Sequence, residues 1–385
     1  MIRNIVVGID IGTWATRVVV CEYMRGEKIP RVIGLGSSET KGVRHGYVIN
    51  STDVTRSVRK AVADAEKNSG VKIKRAYVSV SGTSLSSQVA SGNVIISKAD
   101  NEVTALDITK AIAEAEEALN IVNKKVIDAI PVFFKLDGKE IYGRPEGMKG
   151  VKLEVKTLFI TCLSQHLDEL IGSITNVGIE VIDVVPAALA ASRIALTERQ
   201  KTVGCVLVNI GAETVSLAVF ENNALISLHV FPIGSTDITN DIALGLRIPL
   251  DEAEGLKVGS IIGNYSKKKL DEIIEARLVD IFELIENHLK KLKRSELLPA
   301  GVVLTGGGSQ IALIEELSKS MLKLPTKIGS TDLFASSKNK MRDSSWFVAL
   351  GLCLVPKGST TPREKNEAWS AFKDFFKGIG KQLMP

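Results

Sequence analysis

Gly8-Ile9-Asp10-Ile11-Gly12-Thr13 lies between two apolar runs, Ile5-Val6-Val7 before it and Val18-Val19-Val20-Cys21 after it. This reads as a strand, a tight glycine turn and a returning strand. The turn carries one carboxylate, Asp10, and one hydroxyl, Thr13. A second copy opens at Cys205: the run Cys205-Val206-Leu207-Val208 leads into Asn209-Ile210-Gly211-Ala212-Glu213-Thr214, and Val215-Ser216-Leu217-Ala218-Val219-Phe220 returns. Glycine at such a turn lets backbone N–H groups approach phosphate oxygens, and a nearby aspartate can hold a counter-cation through water. One hairpin of this kind usually does no more than reverse the chain. Two of them, each opening one half of the sequence, point to duplicated subdomains gripping one nucleotide.

Composition sets the bounds. At 385 residues the chain exceeds a usual single core, so two or more subdomains are expected. The net charge of +5, from 49 basic and 44 acidic residues, is too mild to imply nucleic acid, and no nucleic-acid partner is expected. Cys21, Cys162, Cys205 and Cys353 are scattered, with no metal-type spacing, so buried reduced thiols are expected. Met1-Ile2-Arg3-Asn4 leads straight into a strand rather than a leader, and no apolar run reaches the roughly 20 residues of a membrane-spanning helix. The sequence reads as that of a cytoplasmic protein.

Along the chain, Arg31-Val32-Ile33-Gly34-Leu35-Gly36 makes a third strand. Ser51-Thr52-Asp53 can cap a helix in which Val54, Val58, Ala61, Val62 and Ala65 recur at helical spacing up to Gly70. A buried strand follows at 76–82. Residues 83–161 differ in character: one amphipathic helix (Ile108, Ile112, Leu119) lies among short strands that include 125–134 and 152–162. This predicts a small inserted α+β domain. A helix (167–177), a strand (180–185) and an Ala-rich helix opened by Pro186 then complete the first half. In the second half, 236–299 is mainly helical, with Lys267-Lys268-Lys269 in a polar insertion and a long helix around 270–294. Lys290 and Lys291 near its end suit a helix C-terminus electrostatically, or else meet an acidic partner.

Two further stretches carry chemistry. Ala300-Gly301-Val302-Val303-Leu304-Thr305 ends in Gly306-Gly307-Gly308, with a helix expected from Gln310. A strand–glycine–helix junction lets backbone lie flat on a ligand ring and aims a helix N-terminus at phosphate. The chain ends differently. Residues 356–367 read as a flexible polar linker, followed by a segment, 368–385, in which Trp369, Phe372, Phe375, Phe376, Ile379 and Leu383 fall within an arc of roughly 120° at helical spacing. Lys373, Lys377 and Lys381 flank that stripe, the pattern of a helix lying in an anionic membrane interface. A helix docked on its own core is the other reading.

Taken together these residues resemble the actin-like ATPase superfamily, whose two phosphate hairpins, adenosine strand-turn and two connecting helices match 5–20, 205–220, 301–309, 184–196 and 346–355. Within it the chain most resembles the bacterial cell-division FtsA family. Supporting pieces are Gly34-Leu35-Gly36-Ser37, Val78-Ser79-Val80-Ser81-Gly82 and Ile160-Thr161-Cys162, and the insertion after Gly82 sits where that family places its own. The resemblance implies an α/β, two-lobed actin-like fold with the inserted α+β domain and a C-terminal amphipathic helix. Its parts would be 1–82 with 162–200 as the first lobe, 83–161 as the insert, and 201–235 with 300–355 as the second-lobe core. A helical subdomain would cover 236–299, with the linker at 356–367 and the membrane helix at 368–385.

It also implies ATP and Mg2+ in the cleft. Asp10 would position a metal-bound water, with Gly12 and Thr13 on the phosphates, Asn209, Gly211 and Thr214 facing them, and Gly306, Gly307 and Gly308 against the adenosine. Glu254 and Lys257 match a segment that contacts ribose or adenine in relatives; an ordinary surface pair is the alternative. Asn209 stands where many relatives carry aspartate, and Val185 where some carry an acid. Glu213 is either a general base or, preferred, a solvated turn residue. A slow ATPase at most is therefore expected.

The implied partners are a second copy of the chain in a head-to-tail filament, anionic lipids of the inner membrane, later division proteins, and the acidic C-terminal peptide of FtsZ. That peptide would meet Arg277, with Lys290 and Lys291 as further candidates. The expected location is the cytoplasmic face of the cell membrane at the division septum. Three rivals share the scaffold. A PilM-like pilus assembly protein lacks this terminal helix. A kinase needs a dedicated carboxylate that Asn209 and Val185 do not supply. In an MreB-like filament the insertion lies elsewhere.

Overall fold

A computed structural model describes residues 4–27, 29–141, 143–261, 265–331, 333 and 343–354. The quoted stretch does form a hairpin: β1 (Asn4–Ile11) pairs antiparallel with β2 (Ala15–Tyr23), Asp10 opposite Arg17. β3 (Arg31–Glu39) extends the meander. A small hairpin, β4 (Val43–Arg44) and β5 (Tyr47–Val48), precedes helix α1 (Ser51–Ser69). The cap of α1 is Asn50, one residue before the expected Ser-Thr-Asp group; its side chain accepts the Asp53 N–H at 3.2 Å. At the other end Gly70 takes the left-handed conformation. Val54, Val58, Ala61, Val62 and Ala65 are all buried, packing α1 onto β2 and β3. Strand β6 (Arg75–Val80) runs parallel to β1.

The insertion folds as its own layer pair. β7 (Ser86–Ile95), β8 (Lys124–Leu136), β9 (Lys139–Ile141) and β10 (Lys152–Leu163) form an antiparallel sheet in the order β7-β10-β8-β9, and α2 (Ala105–Glu117) packs on it. Its core is small and local: Val103, Ala111, Phe134, Leu136, Leu153 and Val155. At its near end Leu85, Leu158 and Ile160 join the main core, so the insert is rooted in the first lobe. The chain returns through α3 (Ser164–Thr175), β11 (Glu180–Pro186) and α4 (Ala187–Ala195). The completed first sheet has the order β11-β6-β1-β2-β3.

The second half repeats this plan. After a short α5 (Glu198–Val203) come β12 (Cys205–Ile210), β13 (Val215–Glu221) and β14 (Ala224–Phe231), then α6 (Ser235–Leu246), α7 (Leu250–Lys257) and α8 (Lys267–Lys291). β15 (Val302–Thr305), α9 (Ile314–Leu322), β16 (Thr326–Ile328) and α10 (Phe347–Leu352) finish it. The sheet order is β14-β13-β12-β15-β16, the same antiparallel meander followed by two parallel strands.

Two expectations need correction here. Lys267, Lys268 and Lys269 are not a loop insertion but the first turn of α8, because Ser266 caps the helix there and Leu270, Ile273 and Ile274 already follow its apolar spacing. No helix starts at Gln310: Gly307–Gln310 make a single 3-10 turn, and α9 begins at Ile314.

The lobes are bolted together by exchanged helices. α4 follows the first sheet but packs on β12 and β13, and α10 follows the second sheet but packs on β1, β2 and β6. The two helices cross where the α-carbon of Gly351 leaves no room for a side chain against the Ala190 carbonyl. One continuous core therefore includes Val18, Ile9 and Val78 of the first sheet with Leu207, Ala218 and Val303 of the second. All four cysteines are buried free thiols.

Candidate functional site

The parallel strand pairs place matching polar residues at matching strand ends. In the first lobe Asp10, next to last in β1, accepts a hydrogen bond from Ser79 Oγ of β6 at 2.6 Å. In the second, Asn209 holds the same position in β12 beside Thr305 of β15, with Thr305 Oγ1 at 3.4 Å from Asn209 Oδ1. The antiparallel partners differ: Arg17 faces Asp10, whereas Ser216 faces Asn209 and receives its Nδ2–H at 3.4 Å. Burial pushes the Asp10 carboxyl above its usual range, while the Ser79 hydrogen bond and the Arg17 charge oppose that shift. Of these two matching strand-end positions, the first lobe thus carries a carboxylate and the second a neutral amide.

Both turns close in the same way. Gly12 N–H donates to the Ala15 carbonyl at 3.2 Å, and Gly211 N–H donates to the Thr214 carbonyl at 2.8 Å. The residues between them, Thr13 and Trp14 in one turn and Ala212 and Glu213 in the other, make no backbone N–H bond among the described residues. Such consecutive free donors form an anion-binding concavity. Trp14 is 61% exposed at the tip of the first turn. Thr214, by contrast, is buried. Helix α6 stands directly on the second turn, its Ser235 and Thr236 N–H groups donating to the Gly211 and Ala212 carbonyls at 2.9 and 2.8 Å.

Glu213 is not a solvated turn residue. Its side chain is only 14% exposed and is engaged across the lobes, accepting the His45 N–H at 2.6 Å and lying 3.3 Å from Arg44 Nε. The short 43–48 hairpin reaches over from the first lobe to meet it, something no local pattern in the sequence signals.

The three glycines of the strand-turn separate by role. Gly306 has φ +85°, and a side chain there would strike the Ile210 carbonyl and the Asn209 amide oxygen. Gly308 packs its α-carbon on the Ile210 side chain. Packing against β12 therefore explains both. Of the three, Gly307 is exposed and a side chain there would meet nothing.

Glu254 and Lys257 do form an ion pair, at 2.7 Å, but it is not an ordinary surface pair. Lys257 is 5% exposed and also donates to the Ser235 carbonyl (3.0 Å) and to Thr239 Oγ1 (2.8 Å), while Thr239 donates to Glu254 at 2.6 Å. This network ties α7 to the start of α6, and through it to the Gly211 turn.

Arg277, on α8, is held by Asp241 of α6 (2.7 and 3.1 Å) and by Asp280 (3.2 Å), with 30% of its side chain exposed. Lys290 lies 3.5 Å from Glu286, and Lys290 and Lys291 occupy the last turn of α8. Trp369, Phe372, Lys373, Phe375, Phe376, Lys377, Ile379 and Leu383 lie outside the described residues. Among the described residues no helix is long and apolar enough to cross a membrane, and no group of three or more metal-type side chains gathers.

Comparison with known proteins agrees with this layout. A family model for cell division protein FtsA matches residues 206–351, and one for the SHS2 domain inserted in FtsA matches residues 82–161, the separate antiparallel layer described above. Cell division protein FtsA of Neisseria meningitidis is 31% identical over 89% of this chain and 88% of its own length. The chain belongs to the FtsA family. Its fold is that of actin-like proteins more widely: a solved PilM-PilN type IV pilus biogenesis complex aligns with TM-score 0.68 at 17% identity, covering 91% of this chain and 99% of the other. MreB5 of Spiroplasma citri bound to ADP aligns with TM-score 0.50 at 13% identity over 90% and 94%. These likenesses speak to fold; the FtsA relationship rests on sequence.

Sequence reasoning passed over Ser79, Arg17, Arg44, His45 and Thr239. Ser79 carried a signal, being a hydroxyl inside an otherwise apolar buried strand. Arg44 and His45 carried none, since a two-residue hairpin has no period to read.

Proposed function

We propose that this FtsA-family cell-division protein binds ATP with Mg2+ between its two hairpins. It assembles head to tail on the cytoplasmic face of the cell membrane at the septum, holds FtsZ filaments there, and recruits later division proteins. The observation that carries the nucleotide reading is the pair of glycine turns, each with N–H donors that find no partner among the described residues and each at the end of a strand bearing Asp10 or Asn209. Mg2+ keeps most of its waters and needs only one or two carboxylates besides phosphate oxygens, so Asp10 alone suits it. Gly12, Thr13, Gly211 and Thr214 would line the phosphates, and Gly307 would lie under the adenosine. When bound, the metal would neutralise phosphate charge; the turns orient and desolvate the nucleotide. With Asn209 neutral and Glu213 already engaged, hydrolysis is slow.

Membrane attachment is assigned to 368–385, where each large apolar side chain contributes roughly 1.5–3 kcal/mol on burial and each lysine about 1 kcal/mol at an anionic surface. Part of this is lost in ordering the helix, so one copy binds reversibly and a filament binds through avidity. The test is co-sedimentation with anionic vesicles, comparing the full chain with a truncation ending at Pro362, each with and without Mg2+-ATP. The full chain should pellet and the truncation should not. Equal behaviour would sink the tether.

A further inference from the structure

We propose that Glu213 is a clasp between the lobes that sets how fast nucleotide leaves the cleft, rather than a catalytic base. The inference rests on the nucleotide-binding reading above and adds a positioning residue to it.

The contact is specific. One carboxylate oxygen of Glu213 accepts the His45 N–H at 2.6 Å, and the other lies 3.3 Å from Arg44 Nε. The Glu213 carbonyl also meets His45 Nδ1 at 3.1 Å. Thus one residue of the second phosphate turn holds the 43–48 hairpin through both its side chain and its backbone. His45 has φ +47°, a left-handed conformation that is unfavourable for a residue with a Cβ. It is that backbone turn that presents the His45 N–H to the clasp.

The 43–48 hairpin is itself braced on the root of the insert. Gly46 packs its α-carbon on Gly82, and Tyr47 accepts a hydrogen bond from Thr83 Oγ1 at 3.0 Å. The Tyr47 ring lies 4.9 Å from that of His166, whose Nε2 bonds the Ser81 carbonyl at 3.0 Å. Glu213 is therefore tied to a supported element and not to a loose loop.

Two consequences follow from this placement. A nucleotide held between the hairpins escapes when the turns part, and parting them breaks the Glu213 contacts. In addition, an unpaired carboxylate beside the free N–H groups of the second turn would repel phosphate; the His45 N–H and Arg44 offset that charge.

The test uses the full chain. Dissociation of a fluorescent ATP analogue with Mg2+ is followed by stopped-flow chase, and amide exchange of the peptide containing His45 is measured without nucleotide. Glu213→Ala should speed release about tenfold and raise His45 exchange by a similar factor, the loss expected of one charge-assisted hydrogen bond. Glu213→Gln, still an acceptor for the His45 N–H, should restore most of the protection. Arg44→Ala should change release only about twofold because Arg44 is largely exposed. If Glu213→Ala leaves both release and exchange within twofold, the clasp is wrong. It is equally wrong if Glu213→Ala abolishes ATP turnover with release unchanged, since that identifies a base. Should the unaltered chain bind no nucleotide analogue, the nucleotide reading fails and His45 exchange decides the clasp alone. A variant that melts far below the unaltered chain is set aside in favour of Glu213→Gln, for which loss of His45 protection would overturn the proposal.

Discussion

Ser79 Oγ donates to Asp10 Oδ1 at 2.6 Å from the neighbouring parallel strand, and Thr305 stands in the same relation to Asn209 in the other sheet. The two lobes thus share a polar pair at the mouth of each hairpin, but only the first pair is charged. Burial disfavours the ionised form of Asp10, so its charge at neutral pH carries a cost in stability. A carboxylate kept at such a position is consistent with service to a cation.

Replacing Asp10 with Asn therefore has two expected effects of opposite kind. The nucleotide-free chain gains thermal stability at pH 7, by about 1 °C for each kcal/mol recovered in a chain of this length, in a melting experiment. The gain shrinks as pH falls through the raised pKa of the buried acid, because the unaltered chain then sheds the same charge. Dependence of nucleotide affinity on Mg2+ falls at least about tenfold in a titration with and without chelator. A destabilised variant that keeps its Mg2+ dependence would show that Asp10 is structural.

The glycine triplet makes a prediction that separates packing from binding. Gly306→Ala and Gly308→Ala drive a methyl into Ile210 and should each lower stability by about 1–3 kcal/mol, read from denaturant midpoints. Gly307→Ala meets nothing and should melt with the unaltered chain. If Gly307 lies under the adenosine, the same substitution weakens ATP more than inorganic triphosphate, measured by competition. Equal weakening of both, or of neither, removes Gly307 from the adenosine site.

Much of this was legible in the sequence, for definite reasons. Strand–turn–strand patterns at Asp10 and Asn209 are local, and the apolar runs on each side admit few alternatives. The inserted layer is visible as a change of pattern after Gly82, which the sheet β7-β10-β8-β9 explains. The contacts across the lobes were not legible. Glu213 looks like a solvated turn residue until the 43–48 hairpin is placed against it, and no periodicity ties residues so far apart. After the glycine triplet a single 3-10 turn, Gly307–Gln310, replaces the expected helix start, and Gly306 and Gly308 pack on Ile210 of another strand, a contact no local pattern signals.

The histidine pair between β14 and α8 predicts an acid-sensitive fold. His229 and His288 stack with ring centroids 4.8 Å apart, His288 Nε2 lies 2.9 Å from Ser227 Oγ, and Phe231 packs edge-on. Burial and the Lys291 charge depress both, and the neighbouring His229 adds to the depression of His288, which is lowered to about 4. Between that value and the usual histidine range near 6.5 the unfolded chain binds protons that the folded chain refuses. Stability therefore rises with pH through this window and is lost as pH falls from about 6.5 toward about 4. His288→Gln should flatten that slope in denaturant titrations at pH 7, 6 and 5. An unchanged slope would place the acid sensitivity elsewhere.

Arg277 offers the last test, and it turns on competition. Its guanidinium is already held by Asp241 at 2.7 and 3.1 Å and by Asp280 at 3.2 Å, so an acidic peptide must displace or share these partners. Asp241→Asn removes the principal intramolecular charge while leaving Arg277 in place. If the FtsZ C-terminal peptide docks on α8 through Arg277, Asp241→Asn should tighten binding about two- to fivefold in fluorescence anisotropy, and Arg277→Ala should weaken it by about tenfold. Both effects should diminish at high salt, as expected for partly exposed charges. Arg277→Ala also releases Asp241 into a partly buried site, so its melting temperature is measured beside its affinity. Lost stability with unchanged peptide affinity would make Arg277 a strut between α6 and α8, and would move the docking site to the Lys290 and Lys291 end of the helix.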